Sequence, residues 1–157
     1  MSTRYDLEII IGYRLKKEYS KLLKSHEWVR GIRVDLNMEV TNNSKKAFPG
    51  TKVNSAIKEY GGAMGTGLLS WGPVEQILIP EMAAGESVTL PLMYFYPLVE
   101  GLCELSLDLL APDNSEVWVT GWRQGKPQQK TISVYYTVVG WQELEIIKLL
   151  SKLQKGG

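Results

Sequence analysis

Ile32-Arg33-Val34-Asp35-Leu36-Asn37-Met38-Glu39-Val40-Thr41 alternates apolar and polar residues without a break. Successive side chains of a strand point to opposite faces, so this stretch predicts a strand with one dry face and one wet face. A sheet of such strands must cover its dry face with a second layer. Turn formers close the run at once, first Asn42-Asn43-Ser44 and then Phe48-Pro49-Gly50.

Working outward, the same grammar repeats. Residues 51–60 read as a strand with Val53 and Ile57 inward, and 74–79 as a short apolar one stopped by Pro80. Val88, Leu90, Leu92, Tyr94 and Tyr96 are expected on one face of the next strand. Pro91 lacks a ladder donor there and predicts a sheet edge or a bulge. Cys103, Leu105, Leu107 and Leu109 then alternate with Glu104, Ser106 and Asp108. After the turn Pro112-Asp113-Asn114-Ser115 come strands at 117–122 and 132–139, joined by a polar loop with Gly125, Lys126 and Pro127. About seven strands with short connections predict an all-β sandwich, mostly antiparallel because the connections are too short for crossover helices.

The ends differ. Residues 7–24 carry Ile11, Leu15, Tyr19, Leu22 and Leu23 at mostly helical spacing, although 7–11 also reads as a strand ended by Gly12. Residues 141–155 form a clearer amphipathic helix, with Ile146, Leu149, Leu150 and Leu153 in one apolar stripe and Lys148, Lys152 and Lys155 away from it. The expected organisation is a single domain, 1–157, made of an N-terminal helical segment (1–28), a sandwich (31–139) and a C-terminal helix (141–155).

Val34-Asp35-Leu36-Asn37-Met38-Glu39-Val40-Thr41-Asn42 with Phe48-Pro49-Gly50, and later Ala84-Gly85-Glu86-Ser87-Val88-Thr89-Leu90 and Gly101-Leu102-Cys103-Glu104-Leu105, resemble the prokaryotic immunoglobulin-like sandwiches called CARDB-like. In that family a strand ends in Asn, a Gly-Glu-Ser-like turn opens a strand, and Gly opens the next. The resemblance implies a binding or scaffolding module rather than an enzyme. Members are commonly secreted parts of larger proteins, whereas this chain is short and flanked by helices, so the resemblance does not transfer location or partner.

Composition narrows the chemistry. The 157 residues carry a net charge of +1, with 44% hydrophobic and 22% charged residues, as in an ordinary globular domain. That balance does not suggest a nucleic-acid partner, which calls for concentrated basic charge. The expected localisation is cytoplasmic, because no apolar run approaches a signal sequence or a membrane span. A single cysteine rules out a disulfide within the chain, and one Cys with one His cannot supply four structural zinc ligands. No cofactor is expected.

Cys103 shares a face with leucines and reads as an inert core thiol. His26, the sole histidine, reads as a helix-end residue meeting free carbonyls, since no Gly-x-Ser-x-Gly elbow presents a serine to it. Asp108, Asp113, Asn114 and Glu116 surround one turn without EF-hand spacing. Gly61-Gly62-Ala63-Met64-Gly65-Thr66-Gly67 lacks the Lys-Ser/Thr of a phosphate loop and reads as a loop between strands. Gly156-Gly157 reads as a tail, and the Asn42-Asn43-Ser44 sequon has no meaning without a secretory route.

Trp118 and Trp122 alternate outward on one strand. If the following strand pairs with it, Tyr135 joins them on a flat aromatic face suited to a sugar ring or a protein. The expectation is therefore a non-catalytic interaction or assembly module, its surface drawn from Trp118, Trp122, Tyr135, Ile146, Leu149, Leu150 and Leu153. The partner is a protein or a second copy. The alternatives are a carbohydrate-binding module on the aromatic face, or a hydrolase on converging carboxylates such as Asp35, Glu39 and Asp108.

Overall fold

The structure, a computed structural model, describes residues 3–61, 69–71, 76–121 and 126–155. In chain order the elements are β1 (Thr3–Arg14), α1 (Lys17–Ser20), β2 (Glu27–Val29), β3 (Val34–Asn42), β4 (Thr51–Gly61), β5 (Leu69–Trp71), β6 (Ile77–Ile79), β7 (Ser87–Phe95), β8 (Gly101–Leu109), β9 (Ser115–Gly121), β10 (Gln128–Gln129), β11 (Thr131–Val139) and α2 (Trp141–Lys155). A five-stranded sheet runs β10-β9-β1-β3-β7. A six-stranded sheet runs β2-β11-β8-β4-β5, with β6 also paired to β4.

The two sheets close on one core. Leu7, Ile9, Val34, Leu36, Met38, Val40, Val117 and Val119 come from the first sheet. Val53, Ile57, Cys103, Leu105, Leu107, Ile132 and Tyr136 come from the second, and all are buried in a single cluster. The alternation of β3 is realised to the residue, because each of its apolar side chains enters this core. Trp28 of β2 stacks on Tyr136, ring centroids 4.0 Å apart, and Tyr13 meets Tyr136 edge-on at 5.6 Å. These rings close the end of the sandwich nearest α2.

Several expectations need correction. The N-terminal segment is not a long helix. Tyr5, Leu7, Ile9, Ile11 and Tyr13 also fall at period two, and that pattern prevails because it makes β1 an internal strand between β3 and β9. Only Lys17–Ser20 is helical. Gly12 does not end β1. Its missing side chain lets the strand pass Asn37, whose Oδ1 would lie 2.5 Å from a Cβ there. Most pairings are antiparallel, as expected, while β1–β9 and β2–β11 run parallel. The strands beyond the expected seven are β1, β2, β5 and β10. Three of these four are too short to carry a period of their own.

Pro91 does mark an edge and a bulge. β7 ends the five-stranded sheet, and its register with β3 slips between Leu36 and Asn37, leaving Leu92 without a partner. The slip reverses the faces beyond it. Phe95 turns inward, while Tyr94 and Tyr96, expected on one face with Leu92, are exposed and Leu92 is buried.

Candidate functional site

α2 packs on the end of the sandwich through a small second core. Leu144 is fully buried against Val29 and Val139, with Tyr19, Leu22, Leu23 and Ile32 around them. The Tyr19 and Trp141 rings sit edge to face with centroids 6.0 Å apart, and Leu144 N–H donates to Gly140 O at 3.0 Å to start the helix. Ile147, Lys148 and Ser151 are half-buried beside Leu144, so this face is the docked one.

The opposite face carries the predicted stripe. Ile146, Leu149, Leu150 and Leu153 are 55% to 72% exposed. At about 100° per residue their directions fall within roughly 100° of arc, facing away from Leu144. Leu150 also rims an open groove of about 290 Å³ with Lys21, Leu22, Ile147, Ser151 and Gln154. Glu143 and Glu145 lie in the first half of the helix, Lys148 and Lys152 in the second. Lys148 Nζ reaches Glu145 Oε1 at 3.4 Å.

The aromatic platform is not assembled as expected. Trp118 lies on β9 and Tyr135 on β11, and these strands belong to different sheets. Their inward neighbours, Val117 and Val119 for one and Tyr136 for the other, fill the shared core. Trp118 and Tyr135 therefore face outward on opposite sides of the sandwich. Arg4 lies over the Trp118 ring at 4.8 Å, and Trp118 Nε1 donates to Glu116 at 3.3 Å. Trp122 lies outside the described residues, as do 62–68, which hold most of the glycine-rich run, and Gly156-Gly157.

Tyr135 instead belongs to a polar cluster invisible in the sequence. Register places Lys58, Glu104 and Tyr135 side by side across β4, β8 and β11. Tyr60 O–H donates to Glu104 Oε1 at 2.5 Å. That hydrogen bond, with further ones from Tyr135 and Ser133 and the nearby Lys58 charge, holds the Glu104 carboxyl below its ordinary pKa. The same bond pushes the Tyr60 phenol up to about 12. Only strand register reveals this grouping.

The candidate carboxylates do not converge. Asp35 and Glu39 share the outer face of β3, with Asp35 Oδ1 2.9 Å from Arg33, while Asp108 is exposed on β8 of the other sheet. The acidic turn is shaped by its backbone. Asn114 takes φ 56°, and Ser115 N–H donates to Pro112 O at 3.1 Å. No group of three or more His, Cys, Asp or Glu among the described residues is placed to hold a metal ion.

Cys103 is buried, and burial, helped by the Glu59 and Glu104 charges, pushes its thiol up to about 12. His26 is not a helix-end residue. It takes φ 66° well beyond α1, and its ring stacks on Tyr136 at 5.2 Å. Ser25 Oγ lies 2.9 Å from His26 Nδ1 at the rim of a shallow, open cavity of about 260 Å³. Glu27, on the same rim, accepts from Lys24 N–H at 2.7 Å and so shapes the local turn.

The burial of two polar side chains, Asn42 and Glu59, was not legible in the sequence. Asn42 Nδ2 donates to Lys46 O, Met82 O and Ala83 O at 3.0 to 3.2 Å, and its Oδ1 accepts from Ser44 N–H at 3.0 Å. This sequon asparagine is fully buried, so it cannot take a glycan in the folded chain. Glu59 Oε1 accepts from Leu98 and Val99 N–H at 2.8 and 3.0 Å and pins the loop after β7.

No helix among the described residues is long and apolar enough to cross a membrane. No family model matches the chain, and no curated protein matches it. Among solved structures it is similar to the CARDB domain of the PF1109 protein from Pyrococcus furiosus. A crystal structure of that domain with di-metal ions gives 15% identity and a TM-score of 0.49, covering 86% of this chain and 94% of that one. Its solution structure gives 16% identity and a TM-score of 0.47, covering 88% and 98%. The chain is also similar to part of the Pseudomonas fluorescens alkylpurine DNA glycosylase AlkC, at 10% identity and a TM-score of 0.44, covering 87% of this chain and 30% of that one. The family that the sequence resembles is thus also found among its structural neighbours.

Proposed function

We propose that this chain is a non-catalytic assembly module, with the sandwich as rigid body and the outer stripe of α2 as contact surface. One observation carries the reading. α2 is anchored by Leu144, yet Ile146, Leu149, Leu150 and Leu153 stay open to solvent on its other side. A helix that only capped the core would need a single apolar face, and Leu144 with Ile147 supplies it. A second apolar face gains nothing in an isolated chain, whereas contiguous exposed apolar surface marks interaction sites.

The test keeps the chain whole. Ending it at Val139 would uncover Val29 and Val139 and confuse loss of contact with loss of core. The double substitution Leu149→Glu/Leu153→Glu leaves the docked face intact. The parent should elute from a sizing column earlier as its concentration rises, and the variant should not. Identical elution of the two at every concentration would remove the reading.

A further inference from the structure

We infer that the occupant of the α2 stripe is the same stripe of a second copy, with the two helices antiparallel about a two-fold axis between Leu149 and Leu150. This inference rests on the assembly reading and names its partner and geometry. The stripe reads the same from both ends, with leucines at 149 and 150 in its middle and Ile146 and Leu153 equally far from that middle. An isologous contact requires this self-complementarity, because a two-fold axis pairs residue i with j and j with i. Turning one helix end over end sets Ile146 against Leu153 of the other copy. It also sets Leu149 and Leu150 against their own copies at the axis.

Charge independently favours the same orientation. At about 100° per residue, Glu145 and Lys152 flank the stripe on one side, and Glu143 and Gln154 on the other. A two-fold axis across the helices brings like flanks together. Glu145 of one copy then meets Lys152 of the other, within roughly 3 Å along the axis at ~1.5 Å rise per residue. Glu143 likewise meets Gln154. A parallel pair would instead turn the flanks over, setting Glu145 of one copy near Glu143 of the other and leaving Lys152 near Gln154 with no opposite charge. Antiparallel helices also oppose their dipoles, placing each N-terminal half against a C-terminal half. The docked face points away from the stripe, so each sandwich stays behind its own helix. The contact is small, four apolar side chains per copy, so association should be dilutable rather than permanent.

Cysteine pairing on the full chain tests the geometry. Three variants are needed, Ile146→Cys, Leu149→Cys and Leu153→Cys, each at an exposed position and each checked for the parent's circular dichroism. Native Cys103 is buried and adds no background. On mild oxidation, Leu149→Cys should dimerise alone, and Ile146→Cys should dimerise with Leu153→Cys in a mixture. Neither Ile146→Cys nor Leu153→Cys should dimerise alone. If each of those two links to itself, the helices are parallel, and the orientation falls while the assembly reading stands. If no pair links although the parent elutes as a larger species, the second copy lies elsewhere and this inference is overturned. No link, together with identical elution of parent and Leu149→Glu/Leu153→Glu, overturns both.

Discussion

Leu144 and Leu150 lie on the same helix, yet one is wholly buried and the other 55% exposed. The difference is one of direction. Leu144 points into the small core formed with Val29 and Val139, and Leu150 points outward with the stripe. Leu144→Ala should therefore cost about 2–5 kcal/mol, the range for a buried leucine cut back to alanine. Leu150→Ala should stay within about 0.5 kcal/mol. Urea denaturation at low protein concentration, where the chains are apart, measures both. Equal losses would mean that Leu150 is part of the fold.

Asn42 is expected to be the costliest polar side chain to remove from the five-stranded sheet. Its amide satisfies backbone groups in two separate segments, 44–46 and 82–83. Asn42→Ala strands those groups in a buried place, which costs about 2 kcal/mol. Asn42→Asp keeps the acceptor but loses the donors and should be no better. A denaturation midpoint unchanged in Asn42→Ala would show that the loops hold themselves.

Alkaline pH should weaken the fold. Burial raises the Cys103 thiol from its ordinary 9.0 to about 12, and the bond to Glu104 raises Tyr60 from 10.0 to about 12. For groups whose folded pKa is raised, the stabilisation is fully present below the unfolded value and is lost as pH climbs through the folded one. Denaturation midpoints should therefore hold to about pH 9 and fall between about 9 and 12. Cys103→Ala should flatten part of that fall, and Tyr60→Phe another part. In the native protein, thiol reagents at pH 8 should leave Cys103 unmodified until denaturant is added.

The positions of Trp118 and Tyr135 predict independence. Facing outward on different sheets, they share no partner, and the stability effects of Trp118→Ala and Tyr135→Ala should add within about 0.5 kcal/mol. A coupling well beyond that would place them on one surface and revive a shared aromatic platform.

What could be read in advance depended on how far each segment carried its own pattern. β3, β8 and α2 are long and strictly periodic, so their existence, their buried faces and the α2 stripe were all legible. β1 carries two patterns at once, period two at Tyr5, Leu7, Ile9, Ile11 and Tyr13 and helical spacing further on, and pairing with β3 and β9 decided between them. β2 and β10 have three residues or fewer and exist only because β11 and β9 offer them an edge. The Glu104 cluster and the separation of Trp118 from Tyr135 depend on register and sheet membership. Those are tertiary facts that no local pattern encodes.

Sedimentation equilibrium of the full chain, run from low to high micromolar beside Leu149→Glu/Leu153→Glu, separates a chain that pairs through α2 from one that does not. The parent mass should climb from one chain toward two, and the variant should stay at one chain throughout. A parent that holds a single-chain mass across the range, or a variant that dimerises as the parent does, would contradict pairing through α2.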